Sequence, residues 1–226
     1  MVRRTAGREA RQVPMAFTLR ERFTLDRFLV GGNTELVESV FRPVDGFSCA
    51  WVWGRSGAGK SHLLQAVSHE TGGAFVPATE LPAADGYEVF ERVLIDDIHA
   101  WIGDHPPEES LLRLYDNRFE RGLALVMTAR KPPAQLRFAL PDLASRLRSA
   151  ACFEISPPDD EAAAAVLRRT ASDRGFDLDE SVVSFLLRRT GRDLKDLLSL
   201  LETIDVESLS AQRRVTVPFV KQVLGL

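Results

Sequence analysis

The sequence predicts an α/β protein in which a parallel β-sheet flanked by helices is followed by a small all-helical lid domain. Three observations carry this. Short apolar runs that read as strands alternate with amphipathic helical stretches up to about residue 155, the pattern of crossover connections and therefore of parallel pairing. A glycine-rich turn, Gly54-Arg55-Ser56-Gly57-Ala58-Gly59-Lys60-Ser61, lies between the apolar run Trp51-Val52-Trp53 and the helical pattern that opens at His62-Leu63-Leu64, the order that a phosphate-binding strand, loop and helix require. From Asp159 onward the chain offers helices and no further strand.

Bulk properties set the frame. At 226 residues the chain suits a core domain with a smaller appendage, expected as a flexible tail over 1–21, a nucleotide-binding core over 22–155 and a helical lid over 156–226. Apolar residues make up 45% and charged residues 27%, and the net charge of −3 does not advertise a nucleic-acid binder, which favours protein partners. Cys49 and Cys152, the two cysteines, sit in apolar strand-like runs and have no metal-ligand spacing, so a reducing compartment fits better than a disulfide framework. The N-terminal arginines precede no apolar signal region, and no run approaches the roughly 18 apolar residues of a membrane span, so a cytoplasmic location without membrane partners is expected.

Within the tail, Gln12-Val13-Pro14-Met15-Ala16-Phe17 is an apolar island among polar and basic residues. It resembles the short Gln-x-x-apolar-x-Phe pegs with which replication proteins dock into the bacterial sliding clamp, the β subunit of DNA polymerase III. In that reading Gln12 hydrogen-bonds at the pocket mouth while Val13, Met15 and Phe17 make the apolar contact. The residues alone fit a strand or staple folded back on the body better than docking. A first helix is expected from a cap at Asn33 or Thr34, with Leu36, Val37, Val40 and Phe41 as its stripe and Pro43 as its end.

The glycine-rich turn follows, and each fixed position answers a need of a bound phosphate chain. Glycines let the backbone N–H groups of residues 54–59 curl inward before a helix N-terminus, which suits an anion, and Arg55, Ser56, Ala58 and His62 line the same cradle. Lys60 reaches the β/γ-phosphates, and the Ser61 hydroxyl is a Mg²⁺ ligand. The helix stops at Gly72-Gly73, and Ala74-Phe75-Val76-Pro77 reads as a short buried strand. Residues 78–91 give no clear pattern.

Arg92-Val93-Leu94-Ile95-Asp96-Asp97 is an apolar strand that ends in two carboxylates. Asp96 is placed to hold Mg²⁺ through water, and Asp97 to orient or activate an attacking water. Pro106-Pro107 opens a helix that Gly122 closes, and the strand Leu123-Ala124-Leu125-Val126-Met127-Thr128 ends in a hydroxyl read as a γ-phosphate sensor. In parallel sheets ligands sit beyond the carboxyl ends of strands, where Gly54, Asp96 and Thr128 all fall. A capped helix over Leu140–Arg148 and a strand over Cys152–Ile155 complete the sheet region. Lid helices are expected over 159–174, 179–190, 192–208 and 217–225. Arg192 opens the third, where the helix dipole does not favour a cation, so an anionic ligand is a reason for it; Arg188, Arg189, Arg213 and Arg214 show that ordinary surface arginines are common here.

Together these residues resemble the AAA+ ATPases, and within them the branch of the bacterial replication initiator DnaA. The resemblance covers residues 22–226. Phe23-Thr24-Leu25-Asp26-Arg27-Phe28-Leu29-Val30-Gly31 is similar to the segment beside the adenine, Ile95-Asp96-Asp97-Ile98-His99 to the Walker B strand, Leu143-Ala144-Ser145-Arg146-Leu147 to the arginine-finger helix, and Gly191-Arg192-Asp193-Leu194 to the start of the sensor 2 helix. The resemblance implies the AAA+ fold, ADP or ATP with Mg²⁺ as cofactor, contact of Arg192 with the nucleotide, and Arg146 acting on the nucleotide of a neighbouring molecule. Arg130 departs from it, standing where the resemblance implies Asp. The initiator continues into a helix-turn-helix domain, whereas this sequence ends at Leu226, so no direct sequence-specific DNA binding is expected. Leu140–Leu147, Arg174-Gly175-Phe176 and Leu209–Lys221 resemble the regulatory inactivators of DnaA. The implied function is negative regulation of replication initiation: clamp on DNA holds the protein, which sets Arg146 against DnaA-bound ATP. Weak ATP turnover of its own, a homo-oligomer, and the alternatives of a helicase loader or initiation adaptor stay open at this stage.

Overall fold

The computed structural model describes residues 28, 32–80, 83–190 and 194–226, and the tail residues Gln12, Val13, Met15 and Phe17 together with Arg192 lie outside them. Helix α1 (Thr34–Phe41) turns Leu36 and Val40 inward. Asn33 stands at its N-cap position but makes no side-chain cap. Its amide instead donates to the Ser156 carbonyl at 3.3 Å and accepts from the Ser156 N–H at 2.9 Å, fastening the start of α1 to the chain as it leaves the sheet. At the other end the Arg92 guanidinium donates to the carbonyls of Val40 at 2.6 Å and Arg42 at 2.7 Å, which the helix terminus leaves without intrahelical partners.

Five strands, β1 (Ser48–Trp53), β2 (Ala74–Pro77), β3 (Arg92–Asp96), β4 (Ala124–Ala129) and β5 (Ala151–Glu154), form a sheet in the order β2-β3-β4-β1-β5. Every neighbouring pair is parallel. The residues alternate between two cores, as the period of two in a strand demands when both faces are covered. Trp51, Ile95 and Met127 face α3 (His105–Arg121) and α4 (Pro141–Arg148), joining Leu111, Leu114, Leu143 and Leu147. Val52, Leu94 and Val126 face α1 and α2 (Lys60–Thr71), joining Leu36, Val40, Leu63, Leu64 and Val67. The stretch 78–91 holds no helix or strand among its described residues, yet Ala84 and Tyr87 are buried, and Trp101 Nε1 donates to the Ala78 carbonyl at 2.9 Å.

The last strand, expected over Cys152–Ile155, runs one residue earlier and is an edge strand, exposed at Ala151, Cys152 and Glu154. Both cysteines are free thiols, and burial pushes the Cys49 thiol up to about 12. Beyond the sheet, α5 (Asp160–Asp173), α6 (Glu180–Thr190), α7 (Leu194–Ala211) and α8 (Val217–Val223) close on a core of their own built from Leu167, Val182, Leu186, Leu197, Leu201 and Phe219. Asp159 caps α5 by accepting the Ala162 N–H at 2.8 Å, and Thr216 caps α8. Among the described residues no helix is long and apolar enough to cross a membrane.

Candidate nucleotide-binding site

The carboxyl ends of β1, β3 and β4 share one rim, and the glycine-rich turn hangs from it. The Gly54 N–H donates to the Ala129 carbonyl at 3.2 Å, so the loop leaves β1 braced against the end of β4. A Cβ on Gly54 would lie 2.8 Å from both Cγ2 and the carbonyl oxygen of Ile155, a space no larger side chain can share with backbone. Gly57 and Gly59 have φ of 74° and 96°, the left-handed conformation that turns successive N–H groups to one side. Gly59 is the N-cap of α2. Phe28 packs over that turn and meets the His62 ring edge-on at 5.6 Å. Arg55 and Ser56 are exposed at the tip, while Ala58 is buried beneath it.

Lys60 opens α2 and is buried, with Nζ donating to the carbonyls of Gly54 at 2.9 Å and Arg55 at 2.8 Å. Its ammonium is thus held inside the curl of the loop, where a bound phosphate would take over these bonds. Facing it across the rim is Asp96, also buried. Burial raises the Asp96 carboxyl above its ordinary range; hydrogen bonding from the Ser61 and Thr128 hydroxyls and the charge of Lys60 pull the other way, while the neighbouring Asp97 adds to the rise. Ser61 and Asp96, expected as the Mg²⁺ ligands, therefore stand together.

Asp97 adopts a left-handed backbone with φ of 53°, rare for a residue with a side chain and a mark of local constraint. That kink ends β3 at Asp96 and turns the second carboxylate out of line with the first. A 3₁₀ turn at Ile98–Ala100 follows, bringing His99 Nδ1 to 3.6 Å from Asp97 Oδ1. Thr128, read from the sequence as a γ-phosphate sensor, is fully buried; its hydroxyl donates to Asp96 Oδ1 at 2.6 Å and accepts the Asp97 N–H at 2.9 Å, bonds that position the acidic pair.

The residues fit a magnesium-bound nucleotide: a glycine nest that a Cβ would block, a buried ammonium at its centre, and a hydroxyl beside a carboxylate whose burial leaves it in need of a cation. When bound, the metal would be held by Ser61 and Asp96. Arg130 is exposed just past the end of β4, and the Lys131 carbonyl beside it accepts Trp51 Nε1–H at 3.0 Å.

Arg146 has its bonds elsewhere. From α4 its Nε donates to Asp116 Oδ1 at 2.9 Å and Nη2 to Asp116 Oδ2 at 3.3 Å. The helix that carries it is set by Glu108, a fully buried carboxylate in the first turn of α3. Glu108 accepts the N–H groups of Gly103 at 2.7 Å, Ala139 at 3.0 Å and Leu140 at 2.7 Å, the last being the N-cap residue of α4. Neither acid was singled out from the sequence, where Glu108 reads as an ordinary first-turn carboxylate and Asp116 as a solvated helix residue.

Residues 160–224 match the family model described as the lid domain of Hda. The chain is similar in fold to domain III of the replication initiation protein DnaA from Thermotoga maritima, with a TM-score of 0.80 and 19% identity over 92% of this chain and 98% of that one. AMPPCP-bound DnaA from Aquifex aeolicus gives a TM-score of 0.71 and 19% identity over 85% of this chain and 68% of that one. The RuvB Holliday junction branch migration motor of Thermotoga maritima gives 0.64 and 16% over 89% and 71%. At these identities the likeness establishes the fold, and the match over α5–α8 adds the kind of lid.

Proposed function

We propose that this chain is a AAA+ protein of the DnaA branch close to Hda, and that it is a negative regulator of DNA replication initiation that stimulates hydrolysis of DnaA-bound ATP. The observation that carries the proposal is the Hda-type lid over residues 160–224 on a DnaA-type core. The partner is DnaA in its ATP form, and the acting group is Arg146, supplied in trans. A finger arginine contributes about 10³–10⁵ in rate by meeting negative charge that develops on the transferred phosphoryl group. The sliding clamp holds the protein through Gln12, Val13, Met15 and Phe17, which raises its local concentration at replicating DNA without any new contact to DnaA.

The protein's own site binds ADP or ATP with Mg²⁺ through residues 54–62 and Asp96, with Arg192 reaching the nucleotide from the lid and Asp97 as the base for any weak turnover. The domains are then a clamp-binding tail over 1–21, the AAA+ core over 22–155 and the lid over 156–226, working in the cytoplasm as a monomer or homo-oligomer. The test is the rate of ATP hydrolysis on DnaA with and without DNA-loaded clamp. Clamp-dependent stimulation is expected with the parent protein, and none with Arg146→Ala that still binds clamp and its own nucleotide. Full stimulation by that variant refutes the finger, and no stimulation by the parent refutes the regulatory reading.

A further inference from the structure

The side chain that holds Arg146 belongs to none of the sequence motifs. Asp116 lies on α3, and α4 rests against that helix through Leu143 and Leu147, both fully buried in the core that Leu111 and Leu114 also enter. With the two backbones thus fixed, Asp116 takes the Nε–H and one Nη2–H of Arg146 in a side-on fork at 2.9 and 3.3 Å. A guanidinium carries five N–H donors in one plane. The fork uses two of them, and the three that remain, both on Nη1 and the second on Nη2, are not committed to Asp116. The Arg146 side chain is 36% exposed, so the group is partly open to solvent.

We propose that Asp116 is a positioning residue for Arg146: it fixes the plane and reach of the guanidinium and leaves the Nη1 edge to receive phosphoryl oxygens of a nucleotide held by a neighbouring AAA+ molecule. The inference rests on the finger role proposed above. A pair as exposed as this contributes little to folding, because water screens it and two side chains lose freedom to make it. Its effect therefore falls on orientation. Without the fork the long arginine side chain spreads over many rotamers, and a displacement of about 1 Å from the productive geometry costs on the order of 10²-fold in rate. The carboxylate also offsets part of the positive charge, so it serves aim rather than attraction.

The experiment compares parent, Asp116→Ala, Asp116→Asn and Arg146→Ala in clamp-dependent hydrolysis of DnaA-bound ATP, reading both the maximal rate and the concentration that gives half stimulation. Asp116→Ala should lower the maximal rate about tenfold or more, in keeping with the cost of misplacing a catalytic group. Half-stimulating concentration, clamp binding and ADP binding should stay at the parent value. Asp116→Asn retains one oxygen acceptor for the Nε–H and should fall between the two. An undiminished or raised maximal rate in Asp116→Ala overturns the inference and, if Arg146→Ala is inactive, leaves the finger standing. A loss that appears in the half-stimulating concentration makes Asp116 a contact with the partner and also overturns it. Full activity of Arg146→Ala removes the finger, and this inference with it.

Discussion

Replacing Glu108 removes a carboxylate on which three backbone segments converge. In the protein it is fully buried, Oε1 accepting from Gly103 and Ala139 and Oε2 from Leu140. Glu108→Ala leaves three N–H groups without acceptors, and at about 1–3 kcal/mol for each orphaned donor the gross loss is roughly 3–9 kcal/mol. Relief from burying a carboxylate, together with water entering the hollow, offsets part of this, so the expected net loss is about 3 kcal/mol. For a chain of this size each kcal/mol moves the midpoint by about 2–4 °C, which predicts a fall of roughly 6–12 °C in Tm. Glu108→Gln is the finer probe. Its amide oxygen can keep the Gly103 and Ala139 bonds, but its NH₂ then faces the Leu140 N–H, donor against donor, so about half of the loss is expected. Calorimetry gives the midpoints, and amide exchange at Gly103, Ala139 and Leu140 shows whether these groups have been freed. A Glu108→Ala protein within about 1 kcal/mol of the parent, or a Gln variant weaker than the Ala variant, would refute the reasoning.

Lys60→Ala removes the ammonium held by the Gly54 and Arg55 carbonyls, and titration calorimetry should show Mg-ADP affinity falling by roughly 10- to 100-fold, the worth of one or two charged hydrogen bonds, with the fold unchanged. Arg118 is fully buried, its three guanidinium nitrogens have no hydrogen-bond partner among the described residues, and burial, aided by Arg121 and opposed by Glu88, lowers its pKa to about 10. Because the folded pKa lies below the ordinary value, the penalty is present in full below about pH 10 and fades as the pH rises above it. Arg118→Met should therefore stabilise by about 1–4 kcal/mol at pH 7, with the Tm advantage shrinking above pH 10; a lower Tm at pH 7 would count against this account. Deleting residues 1–18 should abolish retention on immobilised sliding clamp while shifting Tm by less than about 2 °C, whereas a large loss of stability would mean that the segment packs on the body.

The sheet and the nucleotide loop were legible because their chemistry is local. Gly54 to Ser61 announces itself by spacing, and runs such as Val93-Leu94-Ile95 can be buried on both faces only inside a parallel sheet. What escaped depends on partners far apart in sequence: Glu108 with Leu140, 32 residues on; Arg146 with Asp116, 30 residues back; Asn33 with Ser156, 123 residues on. Asn33 shows how the error arises, since a residue with the right chemistry to cap α1 found a better pair in the distant Ser156 backbone. Thr128 is similar: its place at a strand end was readable, but the direction of its proton depended on Asp96 in the adjacent strand. Apolarity marked Cys152-Phe153 as a strand, but its place at the sheet edge follows from strand order, which the residues do not encode locally. No sequence signal marks the left-handed Asp97, because the kink belongs to the site and not to the residue's own preference.

The supports of the loop and of Arg146 are different, and this decides what mutations can separate. The loop hangs from strand ends, through the Gly54 N–H on Ala129 and the close approach of Gly54 to Ile155. Arg146 hangs from α3 twice over: Glu108 in the first turn fixes where α4 begins, and Asp116, farther along the same helix, fixes where the side chain points. Glu108 also holds Gly103, in the segment that leaves the acidic pair, so one carboxylate braces the exit from Asp96-Asp97 and the approach to α4. Emptying the loop by Lys60→Ala touches neither carboxylate on α3, and removing Arg146 or Asp116 touches no strand end. Nucleotide affinity and stimulation of a partner should then respond to different substitutions, the separation that the tests of Lys60, Asp116 and Arg146 each require.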